Sequence, residues 1–162
     1  MYITIEELIH YTDEERAKWE KWFSTQGDGP LQIPLAGDKQ TTVGILILHI
    51  FGPELRYVER LRGRPVTEYR DEPTDRASGI FAFGHHSREA LREFVQQAQP
   101  DDWGRVLEFT VGQHQLGASA RKLVLHVLMH EIRHWAQIAR VMREHGLPPP
   151  GGHDLLLSDA LE

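Results

Sequence analysis

Apolar positions recur at helical spacing in four stretches of this chain, separated by polar or glycine-rich segments. In the first stretch Trp19, Trp22 and Phe23 fall three and four residues apart, with Arg16, Lys18, Glu20 and Lys21 between them. That pattern predicts a helix over much of Ile5 to Ser24. Thr12 followed by Glu15 has the form of a capping box and predicts a break near Thr12. Gly27-Asp28-Gly29-Pro30 marks a turn, and Leu31 to Asp38 reads as an ordered loop. The second helix is predicted from Thr41 or Thr42 to about Leu61, ended by Gly63 and Pro65. Val43, Ile45, Leu46, Ile47, Leu48, Ile50 and Phe51 cover nearly its whole circumference, so its first half should be deeply buried. Pro53 removes one helical hydrogen bond and crowds the His49 carbonyl, which predicts a kink or bulge there.

Val66 to Phe83 reads as polar and irregular. Ser87 is placed to cap a third helix from Arg88 to about Gln97, with Leu91, Phe94 and Val95 as its stripe. Val106 to Val111 has strand-like composition, and Ile80 to Phe83 is the one partner the sequence suggests for it. Ser119 opens the clearest helix, running to about Glu144, where Gly146 and then Pro148-Pro149-Pro150-Gly151-Gly152 stop it. Long helices with little strand predict an all-α bundle with irregular loops and at most a short strand pair. No repeat or linker divides the chain, so residues 1–162 are expected to form a single domain.

Composition narrows the chemistry. The chain has no cysteine and ten histidines, which excludes zinc ribbons, iron–sulfur clusters and thiol nucleophiles of its own. Lys plus Arg is 18 against 24 Asp plus Glu, a formal charge of −6, which argues against nucleic acid as a partner. The N-terminus lacks a signal-peptide pattern, and the longest apolar run, Val43 to Ile50, is too short to span a bilayer. No membrane association and a cytoplasmic location are expected.

His126, His130 and His134 lie four residues apart in the last helix, each displaced by about 40° from the previous one, so all three share a face. A pair at this spacing has Cβ atoms about 6 Å apart and directs two imidazoles at one ion. His130 and His134 are the predicted pair. His126 drifts by about 80° from His134, which leaves it as pocket lining or a hydrogen-bonding neighbour. His49, in the otherwise apolar Leu46-Ile47-Leu48-His49-Ile50-Phe51, is the candidate third ligand, because a polar ring there costs stability without a partner. Three neutral imidazoles leave a divalent ion an open position, and Zn²⁺ and Ni²⁺ both accept such a set. The other histidines, His10, His85, His86, His114, His145 and His153, read as hydrogen-bonded core or surface residues.

His130-Glu131-Ile132-Arg133-His134 is also a literal H-E-x-x-H, the zinc-binding helix of metalloproteases. Arg133 inside the motif and the lack of a substrate-binding strand before it argue against that reading. Glu131 points about 100° from His130, which reads as a flanking surface carboxylate or one that supports the ligands from behind.

Thr42-Val43-Gly44-Ile45-Leu46-Ile47-Leu48-His49-Ile50-Phe51 and Leu125-His126-Val127-Leu128-Met129-His130-Glu131-Ile132-Arg133-His134-Trp135-Ala136-Gln137-Ile138 resemble the corresponding helices of the DinB-like (DinB/YfiT) superfamily. Trp135-Ala136 replaces that family's usual Arg-Gly, a departure that alters packing without removing a ligand. The resemblance implies an up-down-down-up four-helix bundle in which His49, His130 and His134 hold a divalent metal ion, zinc or nickel. It also implies a homodimer acting on a small-molecule substrate. Relatives include S-transferases and isomerases using low-molecular-weight thiols as cosubstrates, and metal-dependent hydrolases. The leading expectation is a metal-dependent small-molecule enzyme of thiol S-transferase or hydrolase type, with no catalytic acid or base assigned. Arg56, Arg133 and Gln137 are candidate pocket residues. The alternatives are a non-catalytic stress-response bundle with a structural or vestigial metal and, below it, the metalloprotease.

Overall fold

Thr4 caps the first helix. Its hydroxyl accepts from the Glu7 backbone N–H at 3.2 Å, while the Glu7 carboxylate accepts from the Thr4 N–H at 2.6 Å, the reciprocal pair of a capping box. In the computed structural model, which describes residues 2–35 and 37–161, helix α1 then runs unbroken over Ile5–Gln26. The cap and break expected at Thr12 are thereby corrected. Thr12 sits inside the helix, its hydroxyl donating to the Leu8 and Ile9 carbonyls at 3.0 and 3.1 Å, a back-bond that a helix accommodates. The expected Leu31–Asp38 loop contains the end of a 3₁₀ turn, Gly29–Gln32, and strand β1 (Pro34–Leu35), which pairs with β2 (Asp38–Thr42). Ala36 of that loop lies outside the described residues.

Helix α2 (Val43–Leu61) is capped by Thr42 and begins where the sequence predicts, at Thr41 or Thr42, and Pro53 lies within this one continuous helix. It ends on Gly63 at φ +64°, with Gly63 N–H donating to Arg60 and Arg64 N–H to Glu59. A left-handed residue at that point allows both terminal carbonyls to be satisfied. Helix α3 (Ala77–Gln97) starts well before the predicted Ser87 cap. Gly79, Gly84 and the paired histidines are poor helix formers, and tertiary packing outweighs that preference. At Gly84 a Cβ would lie 2.6 Å from the Phe51 ring, so the glycine is there to admit the ring. Ile80 to Phe83 are therefore helical, and the predicted strand β3 (Val106–Val111) pairs instead with β4 (His114–Ser119), antiparallel from Val106↔Ser119 to Val111↔His114. Helix α4 (Ala120–Glu144) has the predicted Ser119 cap. No helix among the described residues is long and apolar enough to cross a membrane.

Two apolar clusters give the helix directions. One joins Trp22 and Phe23 near the end of α1, Val43 and Ile47 at the start of α2, Ile80 and Phe81 at the start of α3, and Ile138 and Met142 near the end of α4. The other joins Ile9, Val58, Leu61, Leu91, Val95, Val124 and Leu128 from the opposite ends. The fold is thus an all-α four-helix bundle, α1 and α4 running one way and α2 and α3 the other. Parallel α2 and α3 require residues 62–76 to travel back along the bundle, and this crossover carries a 3₁₀ turn at Tyr69–Asp71. After α4 the tail folds along α1, held by Trp22 Nε1 donating to the Pro148 carbonyl (2.7 Å) and Tyr11 Oη to that of His153 (2.8 Å).

Between the clusters lies a charged layer with one member from each helix: Arg16, Glu54, Arg88 and Glu131, all 5% exposed or less. Arg16 Nε donates to Glu131 Oε1 (2.7 Å) and its Nη2 to Glu131 Oε2 and Glu54 Oε2 (2.8 and 2.9 Å). Arg88 Nη2 donates to Glu131 Oε2 (2.6 Å) and lies 3.1 Å from Glu54 Oε2. Ser87 and Trp135 donate to the remaining carboxylate positions, and Arg16 Nη1 reaches the Gly84 carbonyl. Burial alone would lower the Arg16 pKa, but Glu131 and Glu54 outweigh it and raise the pKa above its ordinary value. Deleting Glu131 leaves both buried guanidinium groups on Glu54, with Asp13, 3.1 Å from Arg88, the other carboxylate in reach. Glu131→Ala should cost roughly 3–5 kcal/mol in urea unfolding; a loss below about 1 kcal/mol, the range of a surface pair, would contradict this account.

Candidate metal centre

Helical spacing brings His130 and His134 together on α4, and bundle packing sets His49 of α2 against them. The ring centroids are 4.2 Å apart for His130 and His134, 5.0 Å for His49 and His130, and 5.2 Å for His49 and His134. Each residue offers one nitrogen such that the three lie within 4.8 Å of one another, a grouping that could hold a metal ion. The Nε2 atoms of His130 and His134 are only 2.9 Å apart. His126 stands outside the group, its ring 5.6 Å from that of His130 and 6.0 Å from that of Tyr57.

Neighbours fix two of the rings. Gln137 Oε1 lies 2.5 Å from His134 Nδ1. An amide oxygen only accepts, so Nδ1 carries the proton and Nε2 presents its lone pair to the cluster. His49 Nδ1 meets the Tyr69 hydroxyl at 3.2 Å. Tyr69 is itself held against α2, where a Cβ on Gly52 would fall 2.3 Å from its ring. Such outer hydrogen bonds orient a ligating imidazole and fix its tautomer. His130 Nδ1 is buried without a partner. Gln137 was among the sequence candidates for the pocket. Tyr69 was not, because it falls in a stretch with no periodicity.

The electrostatics keep the cluster neutral. Burial, then the His134, His49 and His126 rings and Arg133, pushes the His130 pKa down from 6.5 to about 3. Burial also lowers His49, helped by His134 and Arg70. Burial lowers His134, aided by Arg133 and opposed by its bond to Gln137. Neutral imidazole is the form that binds a metal ion.

The motif's glutamate does something different from either sequence reading. Glu131 is 1% exposed and is the hub of the charged layer, accepting from Arg16, Arg88 and Trp135. It is neither a surface carboxylate nor a support behind the histidines. Held by two guanidinium groups in the bundle interior, it is unsuited to be the general base of a metalloprotease. A signal for this was present: Arg16, Glu54, Arg88 and Glu131 each occupy a core-facing position of their helical stripe. Of the remaining histidines, His10 pairs with Glu14, His85 with Glu20 and His153 with Glu15, and His145 Nδ1 meets the Val141 carbonyl.

The family model described as DinB family matches residues 1–160 of this chain. Comparison with curated proteins finds no match.

Lowered histidine pKa values have a consequence for stability. Below about pH 6.5 the unfolded chain takes up protons that native His130 refuses until about pH 3. The contribution is therefore intact above the unfolded value and lost progressively as the pH falls. The melting temperature of metal-free protein should drop between pH 7 and 5, with a shallower slope for His130→Ala; parallel curves would contradict the assignment.

Proposed function

The chain belongs to the DinB family, and from that premise we propose that it is a metal-dependent enzyme acting on a small molecule, with His49, His130 and His134 as the ligands of a divalent ion. The observation that carries this reading is the convergence of three neutral imidazoles from two helices, within 4.8 Å of one another. The donor set fits zinc or nickel, both of which accept imidazole nitrogen. A divalent ion with three protein ligands keeps a position open and supplies Lewis acidity that lowers the pKa of a nucleophile there. The chain contributes the rest: Tyr69 and Gln137 hold the His49 and His134 rings in orientation, and burial keeps all three neutral.

The reaction we propose is transfer of a low-molecular-weight thiol to an electrophile, or hydrolysis of one, in a homodimeric protein. The chain has no cysteine, so in the first case the thiol comes from a cosubstrate. A purely structural metal fits less well. Structural zinc takes four closed protein ligands, and here two apolar clusters and the charged layer already tie the helices together.

Elemental analysis of protein purified without a histidine tag should find about one divalent ion per chain, lost in both His49→Ala and His134→Ala with helical circular dichroism retained. His126→Ala should keep the metal. Metal retained by His49→Ala would eliminate the two-helix site. A casein assay and a thiol–electrophile assay on the loaded protein separate the reaction classes, and casein hydrolysis would favour the protease. Gly52→Ala, which displaces Tyr69, and Tyr69→Phe should each weaken metal affinity about tenfold or more; unchanged affinity in both would remove Tyr69 from the site.

A further inference from the structure

Three arginines, Arg56, Arg70 and Arg133, stand near the histidine cluster, Arg70 and Arg133 with exposed side chains. Arg70, on the crossover turn, shares a cavity of about 510 Å³ with His49; Ile45, Leu46 and Leu48 form apolar wall beside them. Arg133, between His130 and His134 in sequence, acts electrostatically on both rings, as Arg70 does on His49. Arg56 lies 5.8 Å from the centre of the Tyr69 ring, and its buried Nε has no hydrogen-bond partner.

These three arginines differ from the others near the core. Arg16, Arg62 and Arg88 each pair with a carboxylate, whereas Arg56, Arg70 and Arg133 make no ion pair among the described residues. Of the acids nearby in the chain, Glu59 is taken up by Thr67, at 2.7 Å from its N–H and 2.6 Å from its hydroxyl, while Glu68, Asp71 and Asp75 flank Arg70 in sequence outside the cavity lining. Glu72 is the one carboxylate in the described cavity wall. An unpaired guanidinium in a partly apolar cavity is a ready partner for an anion, since its fork matches carboxylate and phosphate geometry.

We infer that this cavity binds the anionic end of a small substrate, a carboxylate or phosphate monoester, through Arg70, with an apolar body against Ile45, Leu46 and Leu48. Naming the molecule a substrate rests on the proposed metal centre next to it. The binding itself needs only the arginine and the apolar wall.

Calorimetric titration of the full-length, EDTA-treated protein with hexanoate, hexyl phosphate and hexanol tests this without the metal. At least one anion should bind about tenfold or more tightly than hexanol, and the preference should disappear in Arg70→Gln. Glu72→Gln should tighten anion binding, and Arg121→Gln, on the distant start of α4, should leave it unchanged. Equal binding of hexanol and both anions, absence of anion binding, or an unchanged preference in Arg70→Gln would overturn the inference. Metal content is measured on each preparation before the EDTA treatment. Stoichiometric metal without anion binding refutes this inference alone, whereas anion binding without metal refutes the metal centre alone.

Discussion

Four buried charges, one on each helix, constrain everything else in this bundle. A carboxylate or guanidinium at 5% exposure or less bears a large desolvation penalty, offset only by close partners in good geometry. Arg16, Glu54, Arg88 and Glu131 supply those partners to one another. Sliding any helix by a turn would separate its member from the rest, so the layer specifies register where apolar packing alone would tolerate slippage. It also sets how α4 is rotated. With Glu131 pointed at Arg16 and Arg88, residues 130 and 134 are turned towards α2, where His49 waits among apolar neighbours. The H-E-x-x-H sequence is thus two functions on adjacent faces: the histidines form the candidate metal centre and the glutamate anchors the helix that carries it.

The crossover between α2 and α3 does for His49 what the charged layer does for α4. Because these helices are parallel, the connection has to return along the bundle, and its 3₁₀ turn lays Tyr69 on α2 at Gly52. That contact brings the Tyr69 hydroxyl to His49 Nδ1 and Arg70 into the wall of the adjoining cavity. Fold topology thereby delivers two groups to the site from a segment that has no regular structure for most of its length.

How much of this was legible in sequence depended on whether a residue broke a pattern or only filled one. His49 was visible because a polar ring interrupts an apolar run, and His130 with His134 because their spacing is itself the helical repeat. The Ser119 cap, the α2 start near Thr41 or Thr42 and the Gly63 and Gly146 stops follow local chemistry and are readable for that reason. The start of α3 was not, because Gly84 serves the Phe51 ring in another helix and its cost to helix propensity is offset there. Tyr69 lies in an aperiodic stretch and acquires its role only through topology. The charged layer is not legible in sequence, because each member looks like an ordinary polar residue until four helices are placed side by side; only their core-facing positions signal it.

The central claim is that the protein holds a divalent ion through three imidazoles drawn from two helices, with a further position left for a reactant. X-ray absorption spectroscopy on the metal-loaded protein counts those imidazoles directly. Three imidazole nitrogens with the remaining coordination from light, exchangeable ligands in the parent, falling to two or to loss of metal in His49→Ala, is the predicted result. A shell with fewer than three imidazoles in the parent, or one unchanged by removing His49, would contradict it.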